Sequence, residues 1–110
     1  MDFRSPTPDE VRLLRLLALR AEIDNADAWA QRLQVRSMLD GGMGSLELQP
    51  VGAQALRTGR IIELSSVTFR DSDGVAVIAT LNGDEDRRPV EVDIWKTDYS
   101  QLRQIPIDLG

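Results

Sequence analysis

The sequence has no cysteine and no histidine. Without cysteine there is no disulfide framework, no thiol nucleophile and no thiolate zinc site. Without histidine there is no Ser-His-Asp triad, no imidazole base and no imidazole metal ligand. No apolar run approaches the length of a membrane span. Positive charge is also in deficit: 13 basic against 18 acidic residues give a net charge of -5. That balance argues against a nucleic-acid partner, which needs a basic footprint, and against an anionic membrane surface. It suits a basic protein partner, because opposite fields speed encounter.

What is present is an ordinary globular composition. Hydrophobic residues make up 42% and charged residues 28% of the 110-residue chain, which fits one folded domain and argues against disorder. Met1-Asp2-Phe3-Arg4-Ser5-Pro6 does not read as a signal peptide, so the expected location is cytoplasmic.

Thr7-Pro8-Asp9-Glu10 has the form of a helix start, with a capping threonine, proline at the first helical position and glutamate three residues on. The helix is expected over Pro8 to Glu22. Val11, Leu13, Leu14, Leu17, Ala18 and Ala21 share one arc, and Leu16 and Leu19 fall outside it. Those two leucines belong either to a helix packed on two sides or to a patch kept for a partner. Asp24-Asn25 signals a turn or cap. A short second helix over Ala26 to Leu33 should turn Trp29 and Leu33 inwards.

After Gln34 the apolar period changes to two. Strands are expected at Val35–Leu39 and Ser45–Gln49, around the glycine-rich turn Asp40-Gly41-Gly42-Met43-Gly44. Pro50 to Gly59 reads as a connection with one helical turn at Ala53–Leu56. Arg60–Arg70 reads as a strand whose phase slips at Ser65-Ser66, as a bulge would cause. Asp71-Ser72-Asp73-Gly74 is a hairpin turn. Val75–Leu81, the most apolar strand, is expected at the centre. Asn82 to Pro89 is a longer turn, and Val90, Val92 and Ile94 alternate with Glu91, Asp93 and Trp95 on the last strand. The layout is α+β: helices in residues 7–33 on one face of a four- to five-stranded antiparallel sheet in 34–98, and a tail, 99–110, packed back on a single domain spanning 1–110.

Three motifs could carry chemistry. Asp40 to Ser45 superficially resembles a phosphate loop, but the Lys-Ser/Thr ending and the following helix are missing. Asp71-x-Asp73-Gly74 resembles part of a calcium loop, but position 80 is threonine where that loop needs glutamate. Paired carboxylates such as Glu91 and Asp93 could do acid–base work only inside a cleft that nothing else in the sequence builds. No catalytic residue, metal site or cofactor is therefore expected.

Residues 71–98 hold eight acids and three bases, whereas the rest of the chain holds ten of each. The whole net charge lies in this region. If Ile94 points inwards, Glu91, Asp93 and Trp95 share the other face. Trp95 then either anchors a partner or is covered by the tail. The candidate contact residues are Asp71, Asp73, Asp84, Glu85, Asp86, Glu91, Asp93, Trp95 and Asp98.

Asp40-Gly41-Gly42-Met43-Gly44-Ser45-Leu46 and Asp93-Ile94-Trp95-Lys96-x-Asp98, with the Thr7-Pro8-Asp9-Glu10 start and its leucine-rich run, resemble an uncharacterised bacterial family of small proteins over about residues 6–105. That resemblance supplies no catalytic residues. In size, acidity and layout the chain also resembles the immunity proteins that neutralise toxins. The expectation is an immunity or antitoxin-like protein, not an enzyme, that blocks a basic toxin domain by stoichiometric contact. The alternatives are a self-associating regulatory or structural module, with a possible homodimer, and a carboxylate-dependent hydrolase.

Overall fold

The computed structural model describes residues 2–50 and 60–109, with the backbone alone described at Pro50. The order is α1 (Pro8–Arg20), α2 (Ala26–Arg32), β1 (Leu33–Ser37), β2 (Leu46–Pro50), β3 (Ile62–Arg70), β4 (Ala76–Gly83) and β5 (Pro89–Lys96). The helical turn expected at Ala53–Leu56, with most of its connection, lies outside the described residues.

The capping box forms. The Glu10 amide donates to Thr7 Oγ1 at 3.2 Å, and the Thr7 amide donates to Glu10 Oε1 at 2.8 Å. Helix α1 stops two residues before the expected Glu22, because Glu22 takes a left-handed backbone with φ of 61°. The Ile23 amide then folds back onto the Ala18 carbonyl. Leu13, Leu14, Leu17 and Ala18 are buried. Each of the three leucines contributes about 2 kcal/mol relative to an exposed position. Leu16 is half-buried against the core and Leu19 is half exposed. Trp29 packs against the core from α2.

The five strands form one antiparallel sheet in the order β1-β2-β5-β4-β3. The centre is therefore β5, not the more apolar β4. Hydropathy does not separate the two, since each is flanked on both sides. Only the pairing of β2 with β5 decides it. The phase slip in β3 falls between Glu63 and Ser65, slightly earlier than expected, which makes Leu64 the extra residue. Ser65 Oγ donates to the Leu17 carbonyl at 2.7 Å and ties the bulge to α1. Strand β1 begins directly out of α2, two residues early. Leu39 falls beyond its end and is almost fully exposed.

One face of the sheet is apolar. Val35, Leu48, Val67, Phe69, Val77, Ala79, Leu81, Val92 and Ile94 point there and meet α1 and α2. The tail closes this core from the end. Ile105 is buried, and Arg12 Nη2 donates to its carbonyl at 3.1 Å. On the way the tail crosses the glycine turn, where the Leu102 amide donates to the Gly42 carbonyl at 3.0 Å. Asp40 shapes that turn by accepting from the Met43 and Ser45 amides. Ser45 Oγ accepts from the Ile94 amide at 2.8 Å. The two motifs read from the sequence are thus two halves of one junction.

Gly44 has φ of 98°, and a Cβ there would stand 3.0 Å from Leu102 Cδ2. Gly74 has φ of 81° with open space around it. Gly74→Ala should cost only the backbone term, about 1 kcal/mol. Gly44→Ala adds displacement of Leu102, so its urea midpoint should fall clearly below that of Gly74→Ala. Equal midpoints would mean that the tail does not seat on the turn.

Candidate functional site

The alternation of β5 turns Val92, Ile94 and Lys96 to the core face. Lys96 is fully buried. A lone ammonium there would be strongly unfavourable. Its three donors are all used: Nζ donates to Asp73 Oδ2 at 2.6 Å, Asp71 Oδ2 at 2.8 Å and the Gln101 carbonyl at 3.0 Å. Asp71 accepts three further bonds, from the amides of Ser72 (2.6 Å), Arg103 (2.7 Å) and Gln104 (3.0 Å).

Burial works to raise the Asp71 pKa, but Lys96 and the three amides outweigh it and hold the carboxyl well below the usual range. Burial works to lower the Lys96 pKa, and the two carboxylates outweigh it and raise it. Asp73 is lowered chiefly by its bond to Lys96. Neither carboxylate is moved towards neutrality, as a general acid would need. The cluster is a charge-neutralising tie between β5, the β3–β4 turn and the tail.

The nine candidate contact residues therefore separate. Asp71 is buried and Asp73 is held on Lys96, so neither is presented as a free surface charge. Asp84 is also buried. It accepts from the amides of Asp86 and Arg88 and from Arg88 Nε, each at 2.9 Å, and the Arg88 amide leads in lowering its pKa. It organises the β4–β5 turn. On that turn Glu85 and Asp86 are exposed. Asp98 is exposed and accepts from Ser100 Oγ at 2.6 Å and from the Ser100 amide at 3.0 Å, and these bonds lower its pKa. The turns at 71–75 and 84–88 lie at opposite ends of β4, about 26 Å apart along eight strand residues. The acidic stretch from 71 to 98 is therefore divided between two ends of the sheet.

Glu91, Asp93 and Trp95 do stand together, on the face of β5 away from the helices. The sheet register adds neighbours that the sequence reading missed. Glu91 lies opposite Glu47 on β2 and Asn82 on β4, and Asn82 lies opposite Glu63 on β3. Asp93 lies opposite Thr80, and Trp95 opposite Ile78. Two glutamates directly opposite each other are unfavourable. They are relieved locally: Arg36 Nη2 pairs with Glu47 at 2.5 Å, and Asn82 Nδ2 donates to Glu91 at 3.4 Å. The Arg36 guanidinium also lies over the Phe3 ring, 4.5 Å from its centre. A depression of about 470 Å³ lined by Arg36, Ser37, Met38, Leu39 and Glu47 continues the face towards the β1–β2 turn.

Trp95 is 39% exposed and Tyr99 72%. Their rings are 6.1 Å apart and inclined at 57°, so the tail's first turn braces the indole but does not cover it. Glu47 and Glu63 could not be placed beside Glu91 from sequence, because that needs the β2–β5 pairing across a 38-residue gap and the position of the bulge. Among the described residues no group of three or more acidic side chains is placed to hold a metal ion. No helix among them is long and apolar enough to cross a membrane.

Fold and face together define a class: a small α+β domain whose helices cover one side of an antiparallel sheet and whose other side carries an acidic, aromatic surface. Within it, the chain belongs to the family described as a domain of unknown function, DUF6984, whose model matches residues 3–106. No curated protein and no solved structure matches the chain.

Asp71 stabilises the fold above its ordinary pKa of 3.8, and this contribution is lost as the pH falls below that value towards its lowered folded pKa. Asp71→Asn leaves Lys96 buried with one carboxylate fewer. It should lower the melting temperature by about 10 °C or more at pH 6. The gap between wild type and variant should narrow as the pH drops from 4 to 2. A gap independent of pH in thermal melts would contradict the assignment.

Proposed function

We propose that this domain is a cytoplasmic binding protein of the immunity or antitoxin kind, which neutralises a basic toxin domain by stoichiometric contact through its outer sheet face. The observation that carries the reading is the exposed Trp95 beside Asp93 and Glu91 on a face that, among the described residues, no helix packs against. A tryptophan supplies a large anchor that is favourable once desolvated, and carboxylates around it favour a basic partner and speed its approach. Three strands of eight or nine residues beside two of five give a face about 24 Å across and about 17 to 30 Å long, which is the order of one partner's footprint in a standard interface. Leu39 and Tyr99 extend the apolar content of this surface at its margins.

The partner reading as a toxin rests on the chain's small size, its net charge of -5 and its α+β layout, which are the general character of immunity proteins. One observation favours a second reading. Ile61 and Ile62 are exposed at the start of β3, an edge strand, and could support self-association. Sedimentation velocity over a hundredfold concentration range separates the two, since a monomer throughout removes the second.

A protein captured on the immobilised domain and identified by mass spectrometry should associate more slowly as salt rises. Glu91→Lys with Asp93→Lys should cut its association rate about tenfold at low salt. Co-expression of the domain should relieve growth inhibition by that protein. Association indifferent to salt and to both substitutions would overturn the outer face as the interface.

A further inference from the structure

At one end of the outer face the chain completes an aromatic–carboxylate pair with its own arginine. Arg36 lies over Phe3 and pairs with Glu47. A flat guanidinium can do both at once, presenting its face to a ring and its edge N–H groups to a carboxylate, whereas a lysine ammonium is a compact point charge.

On the central strand, β5, the same two parts recur without the arginine. Trp95 and Asp93 point outwards from one strand, two residues and about 7 Å apart. Asp93 has no cation within salt-bridge distance among the described residues, and its carboxylate accepts a long hydrogen bond from Ser45 Oγ at 3.5 Å. Glu10, Asp27, Glu47 and Asp84, by contrast, each hold an arginine of this chain.

The pair is also preorganised. Lys96 follows Trp95 in β5 and is locked by its carboxylates, the Tyr99 amide donates to the Lys96 carbonyl at 2.8 Å, and the Tyr99 ring braces the indole. The backbone that carries the aromatic is thus fixed before any partner arrives, which reduces the ordering that binding must supply.

We propose that Trp95 and Asp93 form a receptor for an arginine side chain of the partner, with the guanidinium stacked on the indole and hydrogen-bonded to the Asp93 carboxylate. This rests on the reading of the outer face as an interface and names the group it recognises. Arginine should be preferred to lysine at equal charge, and acidity alone gives no such preference.

The test uses two probes, hexa-arginine and hexa-lysine peptides, titrated at low salt against the full chain. The readouts are calorimetry and the Trp95 indole N–H resonance. Hexa-arginine should bind about two- to fivefold more tightly and should shift the indole resonance. Asp93→Asn and Trp95→Leu should each bring its affinity down to that of hexa-lysine. If both peptides bind alike and both variants weaken them equally, the arginine receptor is wrong while the acidic face stands. An arginine preference untouched by either variant would place it elsewhere and overturn the proposal. If neither peptide binds, both readings fall.

Discussion

The structure depends on a buried ammonium. Lys96 joins the end of β5 to the β3–β4 turn through Asp71 and Asp73 and to the tail through Gln101. Asp71 extends the same junction to the amides of Arg103 and Gln104. A methionine could fill the space, and buried pairs are often no more stable than well-packed apolar side chains. What an apolar side chain lacks is direction. Three donors with fixed acceptors set where the tail crosses the sheet, and so set Leu102 on the glycine turn and Ile105 in the core. The gain lies in specifying one arrangement, and the penalty is sensitivity to removal of either partner.

That junction sorts the acidic residues by role. Asp71 and Asp73 neutralise Lys96, and Asp84 organises a turn with Arg88. These charges are taken up by the chain's own ion pairs although they sit in the most acidic stretch of the sequence. The ones that face outwards together are set by strand parity and register: Glu91 and Asp93 on β5, joined by Glu47 and Glu63 from strands on either side. The same junction fixes the turn that holds Tyr99 against Trp95. Structural and surface carboxylates are therefore coupled, and loss of the first should loosen the second.

Local signals in the sequence were readable where local physics decides them. The capping box at Thr7 and Glu10, the inward arc of α1, the hairpin at Asp71 to Gly74 and the outward pointing of Trp95 opposite Ile94 all follow from spacing within a few residues. What was not readable depends on pairing across long gaps. The central place of β5 needs β2 to skip two strands, and the acidic row needs the Leu64 bulge in its true position. Lys96 illustrates the limit most clearly. On an alternating strand its parity already pointed to the core, but a charge at a core position has an explanation only when its partners, 23 to 25 residues away, are known. A meander sends alternate turns to opposite ends, so closeness of these acids in sequence does not make them one surface.

The sequence contains a single lysine, and it is Lys96. This makes the central claim open to one direct measurement: amine-directed acylation of the native protein, followed across a urea series by peptide mass mapping. A sealed carboxylate cage predicts that Lys96 stays unmodified in the native state and becomes reactive in step with global unfolding. Native-state labelling of Lys96 at the rate of a free lysine would contradict it.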